Sequence, residues 1–304
     1  MSASQEMLST KVSLVRSSDR AEAVSRAIAL LRSNPVRGKA VTLKPNFNTA
    51  DPAPASTHND TLRTLVLALQ EMGATRITLA ERSGPPDTRQ VMEAKGIFPL
   101  ARELGFEVVN LQELAEEGWV HLRPEESHWR YGFHFARVYL EAESIVQTCC
   151  LKTHAYGGHF TLSLKNSVGM VPRTGYPYMG ELHNSPYQRQ MIAEINTAYS
   201  PDLILLDGVE AFVDGGPDRG TRVKAGVMLA GSDRVAIDAV GVAVLRLLGT
   251  TPEVSQGPIF KQEQIARAVE LGLGVGSPAQ IELITGDPES EAFAREVSDI
   301  LLEA

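Results

Sequence analysis

Residues 144–151, SIVQTCCL, run without interruption into residues 151–173, LKTHAYGGHFTLSLKNSVGMVPR. The first segment is a short apolar run with the length of a buried strand. The second holds two lysines, two histidines, four Ser/Thr hydroxyls, an asparagine and three glycines in one span. Few core segments need that chemistry, so the polar groups are expected to emerge where the strand ends. In open α/β sheets, ligands gather beyond the carboxyl ends of the strands.

Working outward, residues 11–16 read as a strand, 19–31 as a helix with apolar spacing near 3.6, and 40–43 as a second strand. Ser56-Thr57-His58-Asn59-Asp60 offers cap residues for a helix through Met72, and 76–80 is a third strand. This βαβ rhythm implies a parallel sheet with helices on both faces. Further along, 88–104 look helical, 107–111 extended, and the polar, aromatic region 119–139 reads as a small β excursion. A helix is expected at about 185–198, then a strand at 202–206 ending in Asp207-Gly208. A Gly-rich loop at 214–220 precedes a strand at 226–230, helices at 233–248 and 262–271, and a late strand at 281–285. The chain is therefore expected to be one α/β domain over 1–304, doubly wound with a mainly parallel sheet and a small β-rich middle insertion at about 118–140.

Composition narrows the function classes. With 304 residues, 43% of them hydrophobic, the chain can bury a full core. A net charge of −8 gives no general electrostatic reason to bind nucleic acid or an anionic membrane. No apolar segment approaches the roughly 20 residues of a membrane span. The start MSASQEMLST lacks the charged and apolar regions of a signal peptide, so a cytoplasmic location is expected. The two cysteines, adjacent at 149 and 150, form neither a disulfide framework nor a CxxC pair, and no iron–sulfur cluster is expected in this chain.

Three predicted strand ends carry ionisable groups. Lys44-Pro45-Asn46 follows the second strand, where Pro45 biases Lys44 toward extended geometry, although an ordinary exposed turn would use the same residues. Glu81-Arg82-Ser83-Gly84 follows the third, and Asp207 ends the strand at 202–206. Within the quoted stretch, Gly157-Gly158 permits close backbone approach to a ligand, and Lys152, Thr161, Ser163, Lys165 and Asn166 add donors suited to phosphate or carboxylate oxygens. Neither a GxxxxGK[ST] loop nor a GxGxxG fingerprint is present. His154, His159 and His183, with Glu181, Asp207 or a cysteine, are the candidates for a divalent metal, though isolated histidines more often serve in hydrogen bonding or proton transfer. The Gly215-Gly216-Pro217 turn is read first as tight loop geometry. Asp238, flanked by apolar residues in a helical pattern, needs a partner if buried.

Taken as an ordered set, KPN at 44–46, LKTH and TLSLKN within 151–166, Asp207-Gly208, GGP at 215–217 and DRVAIDAV at 233–240 resemble the family catalogued as domain of unknown function 362. The resemblance covers most of the chain. Some members carry ferredoxin-like clusters, which implies redox chemistry; this chain lacks the cysteines, so electrons would come from a separate ferredoxin-like protein. A more distant similarity is to nickel-dependent lactate racemases, which implies a lysine that tethers a nucleotide and histidines that handle metal and protons, at the positions of Lys165, His154 and His183. Asn166 after the lysine and the overall spacings depart from that pattern.

The expectation is an enzyme acting on a small anionic or carbonyl-containing molecule, assisted by a divalent metal or a redox or phosphate-bearing cofactor. Lys44, Lys152 and Lys165 would hold oxyanions. His154 would transfer a proton, and His183 with Asp207 would ligate a metal or support that step. The alternative is a non-catalytic redox partner or cofactor carrier working with an iron–sulfur protein. A homo-oligomer is compatible with either.

Overall fold

A computed structural model describes residues 9–303; the N-terminal reading of residues 1–8 lies outside them. In chain order the first half contains β1 (Thr10–Arg16), α1 (Arg20–Leu30), β2 (Ala40–Lys44), α2 (Asn59–Glu71), β3 (Arg76–Glu81), α3 (Thr88–Ala94), α4 (Ile97–Leu104), β4 (Glu107–Asn110), β5 (Trp119–Leu122), β6 (Phe133–Ala136) and α5 (Arg137–Leu140). The second contains β7 (Ser144–His154), β8 (His159–Thr161), α6 (Ser163–Asn166), α7 (Tyr178–Asn184), α8 (Gln188–Ile195), β9 (Leu203–Gly215), β10 (Gly220–Gly231), α9 (Arg234–Leu247), α10 (Pro252–Ser255), α11 (Glu263–Glu270), β11 (Ile281–Ile284) and α12 (Pro288–Leu302).

Nine strands form one sheet in the order β11-β1-β10-β9-β7-β2-β3-β4, with β8 folded back onto β7. The run from β9 through β4 is parallel, whereas β10 pairs antiparallel with both its neighbours. β5 and β6 make a separate antiparallel ribbon.

Strand side chains alternate between faces, and that alternation builds the layers. On β9, Leu203 and Leu205 join α1, α2 and α4 on one face, while Ile204 and Leu206 meet α9 on the other. All eleven residues of β7 are buried. The aromatic ribbon packs Phe133, Phe135 and Trp119 against Met191, Ile192 and Tyr199, so it shields the sheet beside α8.

The chain runs β2, β3, β4 in one direction, then returns to the other side of β2 to lay down β7 and β9. Helix α2 connects β2 to β3 on one face, and α8 lies between β7 and β9 on the other. The order thus reverses between β2 and β7. Such a reversal opens a crevice at the carboxyl ends of the strands, where Lys44 and His154 stand.

Three expectations are corrected. The helix expected over 88–104 is two helices, because Gly96 takes a left-handed conformation (φ +67°) between α3 and α4. The helix expected at 185–198 is the shorter α8, and α7 precedes it. The strand expected to stop at Leu206 continues to Gly215 and forms a long hairpin with β10, so Asp207 lies within a strand rather than at its end. The pairing with β7 skips from Cys150↔Asp207 to Leu151↔Ala211; residues 208–210 loop out of that ladder without ending the strand. Among the described residues no helix is long and apolar enough to cross a membrane.

Candidate active site

At the end of β2 the Lys44 ammonium donates to Glu81 Oε1 at 2.7 Å and to the Pro45 carbonyl at 2.7 Å, and its third contact is Asn166 Oδ1 at 3.3 Å. Glu81, at the end of β3, also accepts the backbone N–H groups of Phe47 and Arg82. From β7, Lys152 donates to Asn46 Oδ1 at 2.9 Å, to Pro217 O at 3.1 Å and to Ala55 O. Asn166 closes the network, its Nδ2 donating to Thr148 O on β7. Lys44, Asn46, Glu81, Lys152 and Asn166 are all buried, and their charges and amides answer one another. Burial alone would lower both lysine pKa values; Glu81 offsets part of this for Lys44.

This network lines a small polar pit that adjoins a cleft of about 910 Å³. Thr161 and Gly169 also reach the pit, and Asn48, Arg82, Lys165 and Pro217 border both. Lys165, carried by α6, makes no hydrogen bond or ion pair with any described residue, unlike Lys44 and Lys152. Its pKa is pushed down to about 7, chiefly by burial and further by Lys152 and Arg82.

His154 ends β7 beside it. A Cβ added at Gly158 would stand 2.8 Å from His154 Nδ1 and 3.0 Å from Lys165 Cε, so the bare glycine backbone is what lets these two side chains share one wall. The imidazole is buried, its Nδ1 has no partner among the described residues, and its pKa lies well below the usual histidine value. Desolvation is the main cause, followed by the Lys165 and Lys152 charges. His154 is consequently neutral near pH 7. Thr161 Oγ1 and Ser83 Oγ are likewise buried without partners.

The β9–β10 hairpin tip closes one side. Gly216 lies so near β7 that a Cβ there would be 2.0 Å from Thr153 O, and its own carbonyl accepts Ala155 N–H at 3.2 Å. The turn read as tight loop geometry therefore also positions Pro217 and Asp218 in the cleft wall.

Other expected residues stand elsewhere. The Asp207 carboxylate is held by Arg20 Nε at 3.0 Å and Thr61 Oγ1 at 2.6 Å, and is absent from the cleft lining. His183, on α7, reaches the cleft mouth and uses Nδ1 on the Met179 carbonyl. Among the described residues, no group of three or more His, Cys, Asp or Glu side chains is placed to hold a metal ion. The set His154, His183 and Asp207 does not converge: Asp207 is held by Arg20 and Thr61 away from the cleft that the two histidines line. Ser163 faces inward, its backbone N–H donating to Asp238 and its hydroxyl oxygen accepting from Gln147 Nε2. Gly157, at φ +75°, abuts Gln188. Away from the cleft, His128 in the 118–140 insertion is tied to buried Glu194.

Two arginines join the site: Arg82, read at the end of the third strand but given no role there, and Arg173, not singled out from sequence. Arg82 sends its guanidinium to Val171, Ser83 and Val168 carbonyls. Arg173 uses Nη1 on Gly84 and Pro86 carbonyls and lines the cleft. Their signals were present: Arg82 follows Glu81, and Arg173 closes the quoted stretch.

A family model described as a domain of unknown function, DUF362, matches residues 41–243. The chain belongs to the DUF362 family. The matched segment contains every cleft residue from Asn48 to Asp218. Among curated proteins, the thylakoid-associated protein sll1697 of Synechocystis sp. is 25% identical over 218 residues, which cover 69% of this chain and 64% of that protein; the DUF362 chain thus spans less than two thirds of its relative. Among solved structures, the lactate racemase apoprotein from Thermoanaerobacterium thermosaccharolyticum is similar at a TM-score of 0.45 and 13% identity, over 98% of this chain and 88% of that one.

Proposed function

We propose that this DUF362 chain is an enzyme that binds a small anionic, carbonyl-containing molecule in the cleft and moves a proton on it. The observation that carries the reading is the contrast within one site: Lys44, Glu81 and Lys152 in the pit are satisfied by protein groups, while His154 Nδ1 and the Lys165 amine, in the adjoining cleft, have no partner among the described residues. A neutral buried imidazole accepts a proton from a carbon or oxygen acid. The open donors of Arg173 suit a carboxylate, and Lys165 faces the carbonyl group.

The test is incubation with short 2-oxo and 2-hydroxy carboxylates in heavy water, with carbon-bound hydrogen exchange followed by NMR. Wild type should exchange at least one of them, and His154→Ala should slow exchange by about 100- to 10,000-fold. If no acid of the panel exchanges and none raises the melting temperature, the reading fails. A carrier acting with a separate iron–sulfur protein predicts stabilisation without exchange, so the same experiment separates the two.

A further inference from the structure

We propose that Lys165 is a covalent anchor, its amine condensing with the carbonyl carbon of a short 2-oxo acid to give an iminium. The inference rests on the reading of the cleft as a site for carbonyl-containing anions and specifies how that site holds them.

Geometry distinguishes Lys165 from its neighbours. Lys44 and Lys152 each direct their amine nitrogens at three protein acceptors and are fully engaged. Lys165 has none among the described residues, and the pit carboxylate Glu81 is taken by Lys44, Phe47 and Arg82. A lysine among cations with no counter-ion among the described residues is a nucleophile in waiting, because its surroundings disfavour the charged form. The pKa of about 7 agrees, leaving roughly half the amine unprotonated at neutral pH.

The anchor is also held in place. Asp238 accepts the N–H of Ser163 at 2.7 Å and of Leu164 at 3.3 Å, fixing the start of α6 immediately before Lys165. Arg173 has Nε and Nη2 without protein partners among the described residues, a fork available to the substrate carboxylate. His154, across Gly158, has a free ring nitrogen to shuttle protons.

The step balances without an oxidant or reductant. The amine nitrogen forms a bond to the carbonyl carbon, and one of its protons passes through His154 to the former carbonyl oxygen. A second proton, drawn from solvent through the same imidazole, lets that oxygen leave as water. The nitrogen lone pair closes the C=N bond, and the iminium keeps one hydrogen on nitrogen.

The experiment is reductive trapping of the full chain with sodium cyanoborohydride and either pyruvate or glyoxylate, read by intact mass and peptide mapping. One adduct per chain is expected, on the peptide bearing Lys165. It should vanish in Lys165→Arg, which keeps the cation, and form about 100-fold more slowly in His154→Ala. Thermal melting of each variant confirms folding. An adduct no faster on Lys165 than on surface lysines, with both probes, overturns the anchor. So does carbon-hydrogen exchange that persists at wild-type rate in Lys165→Arg, an outcome that leaves the proton-transfer reading standing; loss of exchange in wild type instead removes the broader reading.

Discussion

The Asp238 carboxylate, inside α9, accepts the backbone N–H of Ser163 at 2.7 Å. It also receives Leu164 N–H at 3.3 Å and Gln264 Nε2 at 3.4 Å, all in a fully buried setting. A four-residue helix cannot sustain itself, and α6 is nucleated by this side chain from a distant helix. The position of Lys165 is therefore set by a residue 73 positions further along the chain. Removing the carboxylate leaves two buried backbone N–H groups unmatched, at about 1–3 kcal/mol each, besides the weaker Gln264 contact. Asp238→Ala should lose about 2–5 kcal/mol of stability in urea unfolding, and Asp238→Asn, which keeps one acceptor oxygen, distinctly less.

Breaking the Lys44–Glu81 pair should be as consequential. Both side chains are buried 2.7 Å apart, and truncating one strands the other as an uncompensated charge. Lys44→Met should cost about 3–5 kcal/mol by equilibrium denaturation, and the double variant Lys44→Met/Glu81→Gln should recover a large part of it. A double variant no more stable than the single one would assign the loss to shape rather than charge.

Much of the scaffold was legible before any coordinates. Asp19 caps α1 through Glu22 N–H, and alternating helices and apolar strands gave the parallel half of the sheet. Lys44, Glu81, Lys152 and His154 were read at strand ends and are found at neighbouring ones. What the residues could not disclose was pairing. Lys152 looks like an anion-binding lysine until Asn46 and Ala55 in the β2–α2 loop and Pro217 at the β9–β10 hairpin tip are seen to saturate it. Asp207-Gly208 has the composition of a strand end, yet hydrogen bonds to β10 carry β9 onward, and Arg20 and Thr61 claim the carboxylate. Each misplacement turns on a partner distant in sequence, which local pattern does not encode.

Lys165 imposes a pH signature on folding. Its folded pKa of about 7 is below the unfolded value of 10.5, so between these limits the unfolded chain binds the extra proton. Stability must then rise with pH across that window, since the slope follows the protons bound unfolded minus those bound folded. Urea unfolding of wild type compared with Lys165→Met at pH 6, 7, 8 and 9 should show a gain with pH that the variant lacks. Parallel slopes for the two proteins would mean that the amine is charged in the native state.

Gly158 and Gly216 separate function from folding. At Gly216 a methyl group would collide with the Thr153 carbonyl at 2.0 Å, in a backbone conformation of φ +75° that side chains rarely adopt, so Gly216→Ala should destabilise by about 2 kcal/mol or more. At Gly158 the colliding atoms are the His154 ring nitrogen and the Lys165 stem, and the lysine can move aside. Gly158→Ala should therefore cost only about 1 kcal/mol, near the lower bound for overpacking. Its larger effect should fall on chemistry: with the two side chains pushed apart, trapping at Lys165 should slow at least tenfold while melting changes little. Equal melting losses in the two variants, with trapping unaffected by Gly158→Ala, would show that the shared wall has no bearing on reactivity.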